Sequence, residues 1–113
     1  MTAQEVFDKV VNHLRTQGKR AIDAEGYCVY RAPDGCKCAA GCLIPDADYK
    51  PEYEKHTVWN IEHVFERLGL SEHMRLIAGL QGIHDREAFF VRKEHYFEQL
   101  AYKHGLEYKE PVA

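Results

Sequence analysis

The sequence has no apolar stretch long enough to cross a bilayer, no secretion signal and no excess of positive charge. A membrane span needs about 20 mostly apolar residues, and every apolar run here is far shorter. The N-terminal segment MTAQEVFDKV lacks the basic region and apolar block of a signal peptide. Fifteen Lys and Arg residues against eighteen Asp and Glu give a net charge of −3, which argues against a phosphate-backbone footprint. These absences predict a cytoplasmic protein with no membrane partner and no nucleic-acid partner.

Cofactor signatures, repeats and low-complexity tracts are also lacking, whereas the material for an ordinary core is present. Hydrophobic residues make up 45% of the 113 residues and charged residues 29%, a composition typical of a folded domain. A chain of this length buries enough apolar surface to fold without disulfides or a structural metal. We therefore predict a single globular domain over residues 1–113 that needs no cofactor.

Helical periodicity dominates both ends of the chain. Thr2 and Glu5 have the spacing of a capping box, and the helix that they open is predicted to end at Gly18. Thr57 and Asp85 are placed to cap later helices. The residues predicted to face inward on four helices are Val6, Phe7, Val10, Val11 and Leu14; Val58, Ile61, Val64, Phe65 and Leu68; Met74, Ile77, Leu80 and Ile83; and Phe89, Phe90, Phe97, Leu100 and Ala101.

Between the first two helices the pattern changes to short strands and turns. Residues 27–31 are predicted to form a strand, and residues 32–35, Ala-Pro-Asp-Gly, have the composition of a tight turn. Residues 36–44 fit either a returning strand or a helical turn, and we expect a strand that enters a helical turn near Cys38. Residues 45–56 form a long loop of the kind that often carries function. The predicted fold class is α+β, with about four helices packed on one short β-hairpin.

Four cysteines fall within fifteen residues and raise the question of a zinc site made of Cys28, Cys36, Cys38 and Cys42. Tetrahedral zinc sites usually use two short chelating pairs, but the spacing here is C-x7-C-x-C-x3-C. A C-x-C pair on a strand also directs its sulfurs to opposite faces. Because buried thiols that act as small apolar side chains fit this pattern better, we predict no metal.

Three motifs span nearly the whole chain. They are Cys28-x-Tyr30-Arg31 followed by Gly35-x-Lys37-Cys38-Ala39-x-Gly41-x-Leu43-Ile44-x-Asp46 and Tyr49, then Leu80-Gln81-x-Ile83-His84-Asp85, and finally Leu100-Ala101-x-x-His104-Gly105-Leu106. These motifs resemble those of a family of small bacteriophage and prophage proteins. The resemblance implies a phage-encoded cytoplasmic protein of about this size and implies no particular activity. Because the family pattern does not require cysteine at positions 36 and 42, a four-cysteine metal site would be peculiar to this chain.

A cysteine-dependent enzyme is one function that the residues allow. If Cys38 begins a helix, the helix dipole favours its thiolate, and a nearby histidine could take the proton. His84 is the histidine best placed for this role, because it lies on the same apolar helical line as Ile77 and Leu80. No hydrolase signature surrounds Cys38 or His84, and a core histidine bonded to the backbone explains His84 as well.

A binding surface is the function that we expect instead. Arg31 and Lys37 flank the predicted turn, and tyrosines follow on the long loop. Cations beside tyrosines can hold a phosphorylated small molecule, and Tyr and Arg also dominate protein-binding hot spots. The alternative is a surface ion pair between Arg31 and Asp34 or Asp46, which contributes little stability. The predicted binding residues are Tyr30, Arg31, Gly35, Lys37, Asp46, Tyr49 and Tyr53.

The sequence as a whole therefore predicts a small phage-type accessory protein that acts without catalysis. Its partner is expected to be a host protein or a small phosphorylated molecule, and its role that of a host-interaction or anti-defence inhibitor. The segment RLGLSEHMRLIAGL has the outline of a helix-turn-helix, but Phe65 stands where that motif needs a small residue. An ordinary helical hairpin explains this segment better.

Overall fold

The computed structural model describes residues 1–111, apart from the side chain of residue 90. The described chain contains four α-helices, which are α1 (Ala3–Gln17), α2 (Glu62–Arg67), α3 (Met74–His84) and α4 (Phe89–Lys103). Short 3₁₀ helices lie between them at Gly41–Leu43, Asp46–Asp48, Pro51–Tyr53 and Ser71–His73. The predicted domain runs to residue 113, so its last two residues lie outside the described chain, as does the side chain of the predicted core residue Phe90.

The first helix confirms its prediction. The backbone N–H of Glu5 donates to Thr2 Oγ1 at 3.1 Å, and the Thr2 N–H donates to the Glu5 carboxylate at 2.8 Å, which completes the capping box. At the other end Gly18 takes a φ of 71°, and its N–H bonds the Leu14 carbonyl at 2.9 Å. The predicted inward residues of α1 are all buried. The helix therefore begins and ends at the residues that the sequence indicates.

The predicted fold class is wrong. The described residues are 53% helical and 4% β-structure and contain no sheet and no β-hairpin, so the fold is mostly helical rather than α+β. In place of strands, two isolated antiparallel bridges occur in this part of the chain, between Ile22 and Cys28 and between Arg31 and Lys37. Residues 36–44 contain the expected helical turn, as the short 3₁₀ helix at Gly41–Leu43, but not the expected strand.

The predicted tight turn forms without strands because the Tyr30 N–H, which would extend the ladder beyond the Arg31–Lys37 bridge, is bonded elsewhere. The Glu54 carboxylate accepts the backbone N–H groups of Tyr30 and Arg31 at 2.9 and 3.1 Å. On the other side of the turn, the Lys37 N–H donates to the side-chain oxygen of Gln17 at 2.8 Å. Since each backbone N–H is a single donor, the Tyr30 N–H cannot also continue the ladder, and all three bonds tie the turn to distant parts of the chain.

The caps predicted for the later helices are also wrong. Thr57 does not open α2, which begins five residues later at Glu62; its hydroxyl instead accepts the Asn60 N–H at 3.3 Å in the preceding turn. Asp85 does not cap α4, whose N-cap residue Ala88 makes no side-chain cap bond. Asp85 instead closes α3, where its carboxylate is bonded to side chains of the last helical turn.

The core is centred on α3, which packs against both α1 and α4. A Cβ at Gly79 would lie 2.8 Å from Leu100 Cδ1, so the glycine allows α4 to approach α3 closely. The largest fully buried side chains include Phe7, Phe65, Phe89 and Phe97, which lie on α1, α2 and α4 and belong to one core cluster. None of the helices described is long and apolar enough to cross a membrane.

Candidate functional site

Most of the predicted binding residues lie together around the guanidinium of Arg31. Its two terminal nitrogens donate to the backbone carbonyls of Gly41 and Ile44 at 2.6 and 2.7 Å. One of them also reaches Asp46 Oδ1 at 3.2 Å. The guanidinium lies over the ring of Tyr49, 4.8 Å from its centroid. Arg31 therefore shapes the loop that follows the turn, and both of its terminal nitrogens already have acceptors within the protein.

Glu54 completes this group, and sequence reasoning missed it. Besides the N–H groups of Tyr30 and Arg31, its carboxylate accepts the Tyr49 hydroxyl at 2.7 Å. Burial, together with the Glu54 carboxylate, raises the pKa of Tyr49 to about 12. Lys37 Nζ lies 3.4 Å from Asp46. We refer to Arg31, Lys37, Asp46, Tyr49 and Glu54 as the Arg31 cluster. Its hydrogen bonds and ion pairs hold the loop together.

The other predicted binding residues have different places. Tyr30 and Tyr53 are buried; the Tyr30 hydroxyl donates to the His56 carbonyl at 2.6 Å, and the Tyr53 hydroxyl accepts from Arg67 at 3.1 Å. Gly35 stands apart on the exposed turn, with a φ of 91°. It borders a shallow groove of about 600 Å³, the α1 groove, which is lined by Lys9, Asn12, His13, Thr16 and Gln17 of α1 and by residues 34–36.

Cys38 does not have the environment of a nucleophile. It is fully buried, and its sulfur accepts the Gly41 N–H at 3.2 Å. Burial raises the pKa of this thiol far above its ordinary value, because the charged thiolate would lose its hydration. Burial also raises the pKa of the other three thiols, to about 11 for Cys42. All four thiols are therefore held in the protonated form near neutral pH.

Both ring nitrogens of His84 are hydrogen-bonded to groups other than Cys38. The imidazole is fully buried, and its Nε2 accepts the Ala21 backbone N–H at 2.9 Å. Because a backbone N–H can only donate, Nε2 must carry the lone pair, so Nδ1 carries the hydrogen and donates to Asp85 Oδ1 at 2.8 Å. Neither ring nitrogen is left for the thiol of Cys38, and the hydrogen bonds of the described residues do not join Cys38 to His84.

The cysteines do not gather as metal ligands within residues 1–111. In that range one group has ligand-like spacing, Cys28 with His84 and Asp85, whose ligand atoms lie within 4.8 Å of one another. His84 offers no lone pair there, since one nitrogen donates to Asp85 and the other accepts from Ala21. The guanidinium of Arg20 also lies 3.9 Å from the Cys28 sulfur and repels a cation. We interpret the group as a hydrogen-bonded joint between α3 and the segment after α1.

A groove that the sequence did not predict lies beside α3. Its volume is about 400 Å³, within the range of ligand-binding clefts. Trp59, the single tryptophan of the chain, lines it with 50% of its surface exposed. We call it the Trp59 groove; it is lined by Cys28, residues 55–59, Ala78, Gln81, Gly82 and Asp85. The one sequence signal for it is a tryptophan that stands off the apolar stripe of its predicted helix.

The α3 side of the Trp59 groove is open and rigid. A Cβ added at Gly82 would meet no heavy atom within 4 Å, so the helix backbone is accessible there. Gln81 is fixed at both ends of its amide, because its oxygen accepts the Ala40 N–H at 2.9 Å and its nitrogen donates to Asp85 at 2.9 Å. The half-exposed Asp85 carboxylate is thus held in one orientation at the groove.

The opposite side of the groove is held in a strained backbone conformation. Lys55 has a φ of 67° and is the one described residue other than glycine with a positive φ, which costs about 1 kcal/mol or more. Its neighbours are both anchored, since Glu54 belongs to the Arg31 cluster and the His56 carbonyl accepts the Tyr30 hydroxyl. The Arg31 cluster therefore positions this side of the Trp59 groove.

Comparison with protein-family models, curated proteins and solved structures finds no match to this chain. The resemblance to phage proteins thus stays a prediction from the sequence.

Proposed function

We propose that this protein acts by binding a partner protein through the Trp59 groove, without catalysis. The observation that carries the proposal is the exposure of Trp59, half of whose surface faces solvent beside a preformed groove. Tryptophan is the residue most enriched at interface hot spots, because a large rigid ring buries much area at little entropic cost.

The groove suits a segment of protein chain. The open space at Gly82 allows another backbone to approach α3, and the fixed amide of Gln81 and carboxylate of Asp85 offer polar groups whose orientation is already set. We infer that the partner inserts an apolar side chain beside Trp59 and a hydrogen-bond donor toward Asp85. Following the resemblance to phage proteins, the proposed partner is a host protein in the bacterial cytoplasm, and the proposed mode of action is steric blocking.

The state of the thiols supports binding rather than chemistry. Burial holds all four cysteines in the protonated form, and both nitrogens of His84 are engaged. The Arg31 cluster supports the proposal indirectly, because its hydrogen bonds order the loop that places Lys55 and His56 at the groove. A binding site that is already ordered loses little conformational entropy when a partner binds.

The test is capture from a bacterial host lysate by immobilised protein, with three matched variants. Trp59→Ala removes the anchor, and Gly82→Gln fills the groove while favouring the helix. Tyr27→Ala removes another exposed aromatic ring, which does not line the groove, and serves as the control. We expect one protein to be retained by the natural chain and by Tyr27→Ala and to be lost from the other two.

The captured protein would then be titrated while the fluorescence of Trp59 is followed, since no other tryptophan contributes to the signal. Saturable change in the emission is expected if the partner packs on Trp59. Equal capture by all four chains, or capture without any change in emission, would reject the groove as the binding surface.

A phosphorylated small molecule in the α1 groove is the second candidate. Lys9, Arg31 and Lys37 lie close enough to Cys42 that their positive charges oppose the rise of its pKa, although burial dominates. Lys9 also lines the α1 groove, where Asn12 and Thr16 add hydrogen-bonding side chains. Two of these three cations are already bonded to Asp46, which is why we rank this function second.

Titration with pyrophosphate and with an adenine nucleotide distinguishes the second candidate from the first. We expect saturable NMR shifts along residues 9–16 and no change in Trp59 emission. Binding should be weaker for Lys9→Gln and unchanged for Lys50→Gln, an exposed control on the loop. Shifts that do not saturate, or that are the same in Lys9→Gln, would reject this site.

A further inference from the structure

The outer face of α4 carries an exposed seam of four residues, with a large hydrophobic side chain at each end. Val91 and Tyr102 are 85% and 89% exposed, the most exposed large hydrophobic residues described. His95 and Glu98 lie between them and are also exposed. The spacing of these four residues is four, three and four, which is the heptad spacing of a helix–helix seam. The residues that face the core, such as Phe97, lie on the opposite side of the helix.

This seam complements itself when two helices run antiparallel. About a two-fold axis that passes between residues 96 and 97, Val91 of one copy faces Tyr102 of the other, and His95 faces Glu98. Each pair occurs twice by symmetry, as an isologous interface requires. A parallel arrangement would instead place Glu98 against Glu98 and would oppose like charges at the centre of the seam.

We propose that the partner of this face is a second copy of the chain and that the two copies pair through antiparallel α4 helices. The apolar pairs lie at the two ends of the seam, and two imidazole–carboxylate hydrogen bonds set the register at its centre. None of the residues that line the Trp59 groove belongs to α4. The dimer thus carries two Trp59 grooves and can hold a repeated or dimeric partner by avidity.

The contact is small, so the dimer is weak. A helix of 15 residues is roughly 22 Å long, and one such helix pair buries less than the 1,200 Å² or so of a standard stable interface. We expect a dissociation constant on the order of 100 µM. At that strength the dimer forms where the protein is concentrated or where a two-site partner brings two copies together.

Sedimentation equilibrium over about 10 µM to about 1 mM measures this association. We expect Tyr102→Ala and His95→Glu each to weaken the dimer at least about tenfold. The double variant of His95→Glu with Glu98→His exchanges the central pair and is expected to restore association, because glutamate then faces histidine again. Tyr27→Ala, an exposed aromatic residue away from α4, should leave the dimer unchanged.

All of these positions are on the surface, and unchanged thermal unfolding would confirm that each variant is folded. A natural chain that remains monomeric at every concentration overturns the proposal. A dimer that persists in Tyr102→Ala and His95→Glu overturns it as well, since another surface would then be responsible. Failure of the exchanged pair to restore association overturns the antiparallel register.

Discussion

The imidazole of His84 accepts a hydrogen bond from the backbone N–H of Ala21 at 2.9 Å, with both residues fully shielded from solvent. This bond joins the end of α3 to the segment after α1 across 63 residues of sequence. It also decides the chemistry of His84, because the nitrogen that faces Ala21 must be the acceptor. A residue that sequence reasoning offers as a catalytic base is therefore a structural acceptor in the fold.

The first prediction concerns the tautomer and stability contribution of His84. Nitrogen NMR should show the hydrogen on Nδ1 and none on Nε2. His84→Ala leaves the Ala21 N–H buried without an acceptor and also opens a cavity, so we expect a loss of about 3 kcal/mol in the free energy of unfolding. His56→Ala, at an exposed position, is the control. A hydrogen on Nε2, or equal losses for both variants, would contradict the assignment.

The second prediction concerns Glu54. Glu54→Ala removes the acceptor of two backbone N–H groups and of the Tyr49 hydroxyl, and we expect a loss of about 3 kcal/mol. Glu54→Gln keeps one carbonyl oxygen and should lose about half as much. Urea unfolding measures both changes, and Glu52→Ala on the same loop serves as the exposed control. A loss for Glu54→Ala no larger than that of the control would show that the Arg31 cluster does not hold the loop.

The third prediction compares two glycines. A Cβ at Gly41 would lie 2.5 Å from the Tyr30 carbonyl oxygen, which is a backbone atom that cannot move aside cheaply. We therefore expect Gly41→Ala to destabilise the protein by about 2 kcal/mol or more. Gly82→Ala meets nothing within 4 Å in the middle of α3, so it should stabilise the protein by up to about 1 kcal/mol. Thermal unfolding that shifts in the same direction for both variants would contradict the two environments.

The fold could be predicted from the sequence only where its determinants are local. The ends and inner face of α1 follow from a capping box, a terminal glycine and a regular apolar spacing, all within one helix. The expected hairpin does not form because the Tyr30 N–H, which would continue the ladder beyond the Arg31–Lys37 bridge, donates to Glu54, 24 residues away. No pattern of neighbouring residues shows that a distant carboxylate will take this hydrogen bond.

The candidate site, too, could be predicted from the sequence only in part. Four of the seven residues of the predicted binding surface meet in space, namely Arg31, Lys37, Asp46 and Tyr49. Their sequence could not show that the guanidinium is occupied by backbone carbonyls. The Trp59 groove was missed because it is formed by two segments that only tertiary packing brings together, residues 55–59 and the side of α3 at Gly82.

The fourth prediction concerns the reactivity of the cysteines. Because burial raises the pKa of all four thiols, iodoacetamide should modify them more slowly at pH 8 than it modifies a free cysteine. The rate at Cys42 should continue to rise toward pH 11, near its pKa of about 11, and Cys38 should react only when the protein unfolds. Mass spectrometry of the peptides resolves the sites. Rapid modification of Cys38 below pH 8 would return the enzyme hypothesis to consideration.

The last prediction is that mild acidification lowers the stability of the protein, in part through His13. Burial lowers the pKa of His13 below its ordinary value of 6.5, while the ring donates from Nε2 to the Lys37 carbonyl at 2.9 Å. The cationic side chains of Lys37 and Arg31 act in the same direction as burial. Between the ordinary value and the lower folded value, the unfolded chain binds more protons than the folded one. Stability is therefore fully present above pH 6.5 and decreases as the pH falls below it.

The variant that tests this is His13→Gln, since the amide nitrogen of glutamine can still donate to the Lys37 carbonyl but does not titrate. Urea unfolding at several pH values between about 5 and 8 should give a flatter dependence for His13→Gln than for the natural chain. Some dependence should remain, because burial and the neighbouring charges of Lys103 and Arg75 lower the pKa of His104 in the same sense. Equal slopes for the two proteins would show that the folded environment of His13 does not disfavour its proton.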